Sequence, residues 1–418
     1  MTAARELRVW LEEAEVGTLV QRDDGQLRFE YGASWLRADD RRSISLSLPL
    51  REAPFDDRAA RAFFGGLLPD DDARRRLAKY LHVSARNEFA LLAEVGRECA
   101  GALSLLPLGE SPPASDAGSF RVLAAAEWGA LLRELPQRPL LVGSELRLSL
   151  AGAQDKVAVY LADESLALPI GGLPTTHLLK VPIASYPDTV VNEFFCMRLA
   201  AEIGLSVPAV EVRSVGDTPI LLVERYDRVR AADGRPRRLH QEDCCQALGV
   251  PPELKYQNEG GPTLPQLFEL LTRHSERPAL DRLLLQQMVC FHFLTGNADA
   301  HAKNFSLLHQ ARGVRLAPMY DAMCTLVYPA LSQRMAMKIG SKYEFVAVAR
   351  RHWEALAKAA GMAPPQMLRA VAEMAARLPV VASRLATELP EVAGNATIAR
   401  IVDLIETRSR AVRSDLAV

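Results

Sequence analysis

Hydrophobic residues alternate with a two-residue period in segments of residues 5–48 and 149–228, whereas they repeat at roughly helical spacing from Asp56 to Val95 and in most of the chain after Gln241. Short alternating segments within residues 5–48, broken at Asp24-Gly25 and ending in ISLSLPL, predict strands and a hairpin. Residues 149–228 contain further strand-like runs on both sides of one amphipathic helical segment, DTVVNEFFCMRLAAEIGL. This order is typical of a mostly antiparallel sheet with one packed helix. The sequence therefore predicts an α+β fold whose last part is helical.

A change in composition at residues 107–119, PLGESPPASDAGS, marks the first domain boundary, because Pro, Gly, Ser and Asp concentrate there. A chain of 418 residues is long enough for about two to four domains. We expect three: an N-terminal subdomain over 1–118, an α/β region over 119–230 and a helical region over 231–418. One short hairpin, at 304–320, is expected to interrupt the helices of the last region.

The charge of the chain is nearly balanced, with 50 Lys and Arg residues against 51 Asp and Glu residues and a net charge of −1. Proteins that bind nucleic acid through its charge normally carry a basic excess, so direct charge-driven binding is disfavoured. The first residues lack the apolar segment of a signal peptide, and no run approaches the roughly 20 apolar residues of a membrane span. The six cysteines match neither a disulfide framework nor a CxxC metal pair. These observations predict a cytoplasmic protein with no membrane partner and no structural metal.

The densest cluster of reactive side chains follows a long apolar helix that is expected to end at Gly296. Asp299 and Asn304 occur as D-x-x-x-x-N in a polar loop, and a hairpin then leads to Asp321. Phosphoryl transfer needs a carboxylate to orient and deprotonate the attacking hydroxyl, and oxygen ligands from Asn and Asp for Mg²⁺. Each residue alone is more typical of a helix cap or a turn, but the ordered set favours the catalytic interpretation.

Two further polar residues of this loop, His301 and Lys303, have structural alternatives. His301 is more typical of a residue that holds the loop by hydrogen bonds than of a metal ligand. Lys303 fits contact with a phosphate and a solvated side chain about equally well. Both are kept as candidate nucleotide-binding residues.

A second cluster combines the small residues of SLAGAQDK, residues 149–156, with Lys180 in the apolar run THLLKVP. Small side chains let the backbone approach phosphates closely, and consecutive N–H groups form an anion-binding nest. The segment is neither GxxxxGK[ST] nor GxGxxG, so its specificity on its own is low. Lys180 taken alone fits an edge lysine better than a cation for a ligand. Glu193, on the following helix, is expected either to pair with it or to face solvent.

The string LLVERYDR, residues 221–228, carries a hydrophobic strand into charged residues. This pattern is ordinary for a strand that runs out into water. The functional alternative is a connector whose backbone binds a purine while Tyr226 packs nearby. A basic segment follows that fits either a solvated loop or a DNA contact, and its arginines are Arg225, Arg228, Arg230, Arg235, Arg237 and Arg238.

Over about residues 5–345 the chain resembles, in matching order, the HipA family of bacterial toxin serine/threonine kinases, through the N-terminal segments FFGGLLPD and GALSLLP and through eight later motifs. They are SLAGAQDK, THLLKVP, NEFFCMRLA, ERYDR, LHQEDCCQALG, KYQNEGGP, GNADAHAKNFSLL and LAPMYDAM. The resemblance implies a two-lobed protein-kinase-like fold with an additional N-terminal strand-rich subdomain and an all-helical C-terminal lobe. The catalytic loop departs from some members at Ala300, where they carry glycine.

The resemblance also implies an ATP- and Mg²⁺-dependent serine/threonine protein kinase with defined residue roles. Asp299 would be the catalytic carboxylate, and Lys180 would contact the ATP phosphates. Asn304 and Asp321 would bind Mg²⁺, and Ser149 matches the autophosphorylation site of the family. The adenine would be held at Glu224 and Tyr226, and the phosphates would be covered by the loop of Ala151, Gly152, Ala153, Gln154, Asp155 and Lys156.

Members of the family are usually neutralised by HipB, a helix-turn-helix antitoxin, so the resemblance implies such a partner and contact with operator DNA only through it. It further implies a cytosolic protein substrate, for example an aminoacyl-tRNA synthetase, and a role in persistence. Two alternatives stay open. One is a small-molecule kinase, which uses the same Asp, Asn and Asp arrangement, and the other is a non-catalytic co-repressor in an antitoxin–DNA complex.

Overall fold

The computed structural model describes residues 5–113, 118–138 and 154–416. The chain divides into two compact units, and each unit contains segments that are distant in the sequence. The three sequence domains stay a prediction. The first unit comprises Met1–Val181 with Ser214–Glu253, and the second comprises Pro182–Arg213 with Leu254–Val418.

The first unit begins with a four-stranded antiparallel sheet. Its strands are β1 (Arg5–Leu11), β2 (Ala14–Gln21), β3 (Leu27–Tyr31) and β4 (Leu103–Pro107), in the order β3-β2-β1-β4. Leu7, Val9 and Leu11 are buried, as the two-residue period requires for one face of a strand. Gly17 is needed on β2 because a Cβ atom there would lie 2.3 Å from the Glu30 carbonyl oxygen. The helices of this part are α1 (Ala33–Arg37), α2 (Asp57–Phe64), α3 (Asp71–Tyr80) and α4 (Glu88–Val95).

The last alternating segment of this region does not form a strand. Residues 44–50, ISLSLPL, form only an isolated bridge between Ser45 and Leu48. The Ser45 hydroxyl donates to the Glu242 carboxylate, and the Leu48 carbonyl accepts from the Tyr31 hydroxyl. Side-chain hydrogen bonds therefore replace the ladder that a strand would form here.

A second sheet carries the predicted phosphate and purine segments. Its strands are β5 (Ser119–Val122), β6 (Lys156–Ala162), β7 (Ser165–Ile170), β8 (His177–Lys180), β9 (Val210–Val215) and β10 (Thr218–Glu224), in the order β5-β7-β6-β8-β10-β9. β6 and β7 form a hairpin, in which Asp163 and Glu164 make the turn at φ of 42° and 68°. The remaining elements are α5 (Ala125–Glu134), β11 (Arg228–Arg230), β12 (Pro236–Arg238), β13 (Gln241–Asp243) and α7 (Cys244–Ala247).

The second unit is largely helical. Its helices are α6 (Thr189–Glu202), α8 (Leu264–His274), α9 (Pro278–Thr295), α10 (Arg350–Ala359), α11 (Pro364–Glu388) and α12 (Ala396–Leu416). Helix α9 is largely buried and contacts α8, α11 and α12. Helix α6 was expected to lie on the sheet, but it packs against α11 and α12. Two short hairpins interrupt the helices, and the first confirms the prediction for 304–320. They are β14 (Ser306–His309) with β15 (Val314–Leu316), and β16 (Arg334–Ile339) with β17 (Lys342–Glu344).

A buried carboxylate ties the first of these hairpins to α9. Asp281, in the first turn of α9, is fully buried and accepts hydrogen bonds from the Ser275 hydroxyl at 2.6 Å and the Leu316 N–H at 3.1 Å. The Arg315 guanidinium binds the same carboxylate, at 2.9 Å from Oδ1. Charge-assisted bonds of this kind are about twice as strong as neutral ones. The hairpin between Asn304 and Asp321 is therefore fixed to the helix that precedes the loop.

Candidate active site

The loop that carries Asp299 starts where α9 ends. Gly296 has a φ of 73°, in the left-handed region that glycine adopts without strain, and its N–H donates to the Phe293 carbonyl. A Cβ atom at this position would lie 2.9 Å from Cδ1 of Leu326. The glycine therefore ends the helix as predicted and sets the direction in which the loop leaves it.

Asp299 and Asn304 are joined by a hydrogen bond within the loop. Nδ2 of Asn304 donates to the Asp299 carbonyl oxygen at 2.9 Å, and the same oxygen accepts from the His301 N–H at 2.8 Å. Asp299 is exposed, whereas Asn304 is 7% exposed. The structure therefore brings the predicted catalytic carboxylate and the predicted metal ligand together in one tight turn.

This turn leaves the amide oxygen of Asn304 as the atom that can bind a cation, because its Nδ2 is used. Mg²⁺ in phosphoryl-transfer sites is commonly held by one or two protein side chains together with substrate phosphates. The Asn304 oxygen and the Asp321 carboxylate fit that set of donors. Within the described ranges, no group of three or more His, Cys, Asp and Glu side chains could hold a metal ion by itself.

Two residues that the sequence analysis did not single out support the loop from inside. Asn297 accepts the Asp299 N–H at 3.0 Å, and its Nδ2 lies 3.1 Å from Nδ1 of His292 on α9. Burial lowers the pKa of His292 to about 4, and the Asp321 carboxylate opposes that shift only in part. The ring is therefore neutral near pH 7, and its Nδ1 accepts the Asn297 bond. An asparagine directly after the helix-ending Gly296 was the signal available in the sequence.

Tyr256 is a third residue without a predicted role, and it contacts the candidate base directly. Its hydroxyl donates to Oδ1 of Asp299 at 2.6 Å. Its ring lies edge-on to His301, with centroids 5.3 Å apart. Tyr256 belongs to KYQNEGGP, which the sequence analysis used for recognition without assigning it a role.

The segment after Asp321 is clamped by a buried side chain of α6. Asp321 adopts a φ of 56°, which is uncommon for a residue with a side chain. Three residues later, the Cys324 N–H donates to Oδ1 of Asn192 at 2.9 Å, and Nδ2 of Asn192 donates to the Cys324 carbonyl at 3.0 Å. Asn192 is fully buried. The two bonds fix the backbone that carries Asp321 to α6.

Replacing Asn192 with Ala is expected to lower the free energy of unfolding by about 2–4 kcal/mol, because each buried group left without a partner costs about 1–3 kcal/mol. Urea denaturation measures this difference. The matched control is Asn258→Ala, since Asn258 is exposed and should change the free energy by no more than about 0.5 kcal/mol. Equal stability of the two variants would contradict the clamp.

Burial removes one alternative for two of the candidate residues. Lys303 is 5% exposed, so the interpretation as a solvated side chain is wrong. Glu193 is 1% exposed, so it does not face solvent. Pairing of Glu193 with Lys180 stays a prediction.

The two lysines of the candidate phosphate site lie directly opposite each other. Lys156 on β6 and Lys180 on β8 are Cα partners in the antiparallel register, so their side chains leave the same face of the sheet. They are 8% and 4% exposed, which excludes the edge lysine as an explanation of Lys180. Two buried like charges at such a position are unfavourable unless anionic groups accompany them.

The segment that leads into Lys156 is anchored on both sides. Nε2 of Gln154 donates to the Val181 carbonyl at 2.8 Å, and Arg76 forms an ion pair with Asp155. Burial raises the pKa of Asp155, although Arg76 acts in the opposite direction. The other predicted members of the loop, Ser149, Ala151, Gly152 and Ala153, lie outside the described residues.

The predicted purine connector begins at the end of β10. Glu224 is the last residue of that strand and is the register partner of His177. The backbone pairing then continues one residue beyond both strands, because the Arg225 N–H donates to the Thr176 carbonyl at 2.9 Å. The Tyr226 hydroxyl donates to the Gln241 side chain, which fixes the direction of its ring.

Three of the six arginines in the basic segment bind groups within the protein. Arg225 binds Asp227 through two hydrogen bonds, at 2.9 and 2.7 Å, and Arg228 binds Glu98 at 2.7 Å. Burial lowers the pKa of Arg228 to about 10. The side chain of Arg238 donates to backbone carbonyl groups at 101 and 103. Neither a solvated loop nor a DNA contact explains these three arginines, whereas Arg230, Arg235 and Arg237 are exposed.

No helix among the described residues is long and apolar enough to cross a membrane.

The chain matches two family models, the HipA N-terminal domain over residues 7–106 and the HipA-like C-terminal domain over residues 148–382. The second match alone covers more than half of the chain. The eight motifs from SLAGAQDK to LAPMYDAM all lie within the second match.

Two relatives and one solved structure illustrate the similarity. "Putative kinase Y4mE" of Sinorhizobium fredii is 45% identical over 98% of this chain and 99% of its own length. "Serine/threonine-protein kinase toxin HipA" of Shewanella oneidensis is 30% identical over 78% of this chain and 77% of its own. A chain in the solved complex of HipA, HipB and operator DNA from Shewanella oneidensis MR-1 has a TM-score of 0.84 and 26% identity, and covers 98% of this chain and 99% of that one. This match confirms the α+β fold with a helical C-terminal part, and the chain belongs to the HipA family.

Proposed function

We propose that this protein is an ATP- and Mg²⁺-dependent serine/threonine protein kinase that acts as a toxin. The observation that carries the proposal is the turn in which Asn304 binds the Asp299 carbonyl, because it holds the carboxylate-bearing residue and the amide-bearing residue in one turn. Membership of a family that contains a serine/threonine-protein kinase toxin supports the same chemistry.

In the proposed reaction, the exposed Asp299 carboxylate accepts the proton of a serine hydroxyl. The serine oxygen forms a bond to the γ-phosphorus of ATP, and the bond from that phosphorus to the β,γ-bridging oxygen breaks, so ADP leaves with the electron pair. Mg²⁺, held by Asn304 and Asp321, would neutralise charge on the phosphates. The protein supplies the orientation of the base and of the metal ligands.

The lysine pair supports a polyanionic ligand in the first unit. Lys156 and Lys180 leave one face of the sheet as direct neighbours and are both buried. Triphosphate oxygens carry the opposite charge and accept hydrogen bonds, so they are suited to such a pair. We therefore assign the ATP phosphates to these lysines and the adenine to the connector at Glu224 and Tyr226.

The test is incubation of the purified protein with Mg²⁺ and γ-labelled ATP, followed by mass spectrometry of the protein and of proteins that co-purify with it. We expect phosphate on Ser149 and on serine of a protein target, with an aminoacyl-tRNA synthetase among those to be examined. Ser149→Ala should lose the first phosphopeptide only. Transfer to metabolites without any phosphoserine would favour a small-molecule kinase, and absence of transfer would contradict the proposal.

We further propose a HipB-like helix-turn-helix antitoxin as the partner, with operator DNA reached only through it, in the cytoplasm. The similar Shewanella oneidensis chain is found with HipB and operator DNA. The internal use of Arg225, Arg228 and Arg238 leaves fewer cations for direct contact with DNA. Co-expression with a helix-turn-helix protein encoded next to this chain should yield a complex, and a protein indifferent to that neighbour would count against the partner.

A further inference from the structure

The KYQNEGGP motif forms a compact loop whose shape requires glycine. The N–H groups of Glu259 and Gly261 donate to the Tyr256 carbonyl at 3.1 and 3.0 Å. A Cβ atom on Gly261 would lie 2.0 Å from the Leu254 carbonyl oxygen, so no other residue fits there without a shift of the backbone. The motif is therefore a folded platform with Tyr256 at its base.

The platform and the catalytic loop are both hydrogen-bonded to the same strand, β16. The Lys338 N–H of β16 donates to the Gln257 side chain at 2.7 Å, and the Ala336 N–H donates to the Ala298 carbonyl at 2.9 Å. These anchors lie one residue from Tyr256 and one residue from Asp299. The separation of the two side chains is therefore set by the strand and not by a flexible connection.

The surroundings of the tyrosine restrict its ring. His301 lies edge-on to it, with centroids 5.3 Å apart, and the Lys255 ammonium lies 5.5 Å from the ring centroid. Lys255 is itself 6% exposed. With its ring packed in this way, Tyr256 places its hydroxyl 2.6 Å from Oδ1 of Asp299.

We infer that Tyr256 is a positioning residue, which orients the Asp299 carboxylate by holding its Oδ1. This inference rests on the proposed kinase function. Because the Tyr256 hydroxyl occupies Oδ1, we assign Oδ2 as the oxygen that takes the proton from the acceptor hydroxyl. The acceptor oxygen then bonds to the γ-phosphorus as ADP departs with the electrons of the broken bond.

The test compares Tyr256→Phe, which removes only the hydroxyl, with Tyr343→Phe, which removes a hydroxyl on β17 outside the site. We expect Tyr256→Phe to lower kcat by about 10- to 100-fold, the range of a charge-assisted hydrogen bond. The KM for ATP should change by less than about twofold, because the bond is made to the base and not to the nucleotide. Tyr343→Phe should keep the parental kcat.

A double-mutant cycle separates positioning from a general structural effect. In an Asp299→Asn background, Tyr256→Phe should lower the residual rate by much less than in the parent, since residues that act through each other are not additive. A parental kcat for Tyr256→Phe, or an equal loss in both backgrounds, would overturn the inference.

An NMR measurement that needs no phosphoryl transfer tests the contact between Tyr256 and Asp299 separately from the proposed kinase function. The ¹³Cζ resonance of Tyr256 in the full chain should shift when Asp299 is replaced by Ala, because the phenol loses its acceptor. If the parent transfers no phosphate, the proposed kinase function fails, and the resonance still decides the contact. An unchanged resonance would show that Tyr256 does not hold Asp299.

Discussion

Asp299→Asn is expected to lower phosphoryl transfer by about 10²–10⁴-fold, the contribution of a general base. Asparagine keeps the size of the side chain but neither accepts the hydroxyl proton nor carries the orienting charge. The loop itself should persist, because Asp299 holds it through its backbone, to Asn297, His301 and Asn304. The loss should therefore fall on kcat, with ATP binding nearly unchanged.

Labelling with γ-phosphate under single-turnover conditions measures this loss, and calorimetry measures ATP binding in the same preparations. The matched control is Asp217→Asn, because Asp217 lies exposed in the turn between β9 and β10. Transfer by Asp299→Asn at the parental rate would remove Asp299 from the site. Comparable losses of phosphoryl transfer in Asp299→Asn and Asp217→Asn would indicate a difference between protein preparations and not the loss of a general base.

Asp227→Asn is expected to lower the free energy of unfolding by about 3–5 kcal/mol, the cost of breaking a buried ion pair from one side. Asp227 is 3% exposed and receives Arg225 and Arg228 together with the Gly101 N–H. Without the charge of Asp227, Arg225 and Arg228 keep Glu98 as the carboxylate that they share. Urea denaturation measures the difference, and the exposed Asp39→Asn in the same unit should change stability by no more than about 0.5 kcal/mol.

The same carboxylate predicts a dependence of stability on pH. Burial alone would raise the pKa of Asp227, but the charges of Arg225 and Arg228 outweigh burial and hold that pKa below the ordinary value near 3.9. A group with a depressed folded pKa stabilises the protein above its unfolded pKa and loses that contribution as the pH falls through the folded pKa. Acidification below about pH 4 should therefore cost the parent more stability than Asp227→Asn. Parallel stability curves for the two proteins would contradict the assignment.

Predictions succeeded where the signal is local in the chain. Gly296 ends a helix, and the residues from Asn304 to Asp321 form a hairpin, because turn chemistry and apolar periodicity act over a few residues. The order of Asp299, Asn304 and Asp321 could be recognised for the same reason. The strand at 44–50 failed because Ser45 and Leu48 bond to side chains that no local pattern reveals.

Contacts between distant residues could not be predicted in this way. Tyr256 and Asp299 are 43 residues apart, and Asn192 and Cys324 are 132 apart. Which of them meet depends on how whole helices and strands pack. Arg225 shows the same limit, because its charge is visible in the sequence while its burial is not.

The ion network around Asp227 constrains how this protein can be altered by recombination. Glu98 lies in the segment that matches the HipA N-terminal domain, while the arginines that it neutralises lie beyond residue 224. A gene fragment that starts after residue 107 would encode three arginines without Glu98 and without the backbone carbonyl groups that Arg238 uses. The N-terminal domain therefore cannot be exchanged for an unrelated one without loss of these contacts. We expect homologues to inherit it together with the segment from Arg225 to Arg238.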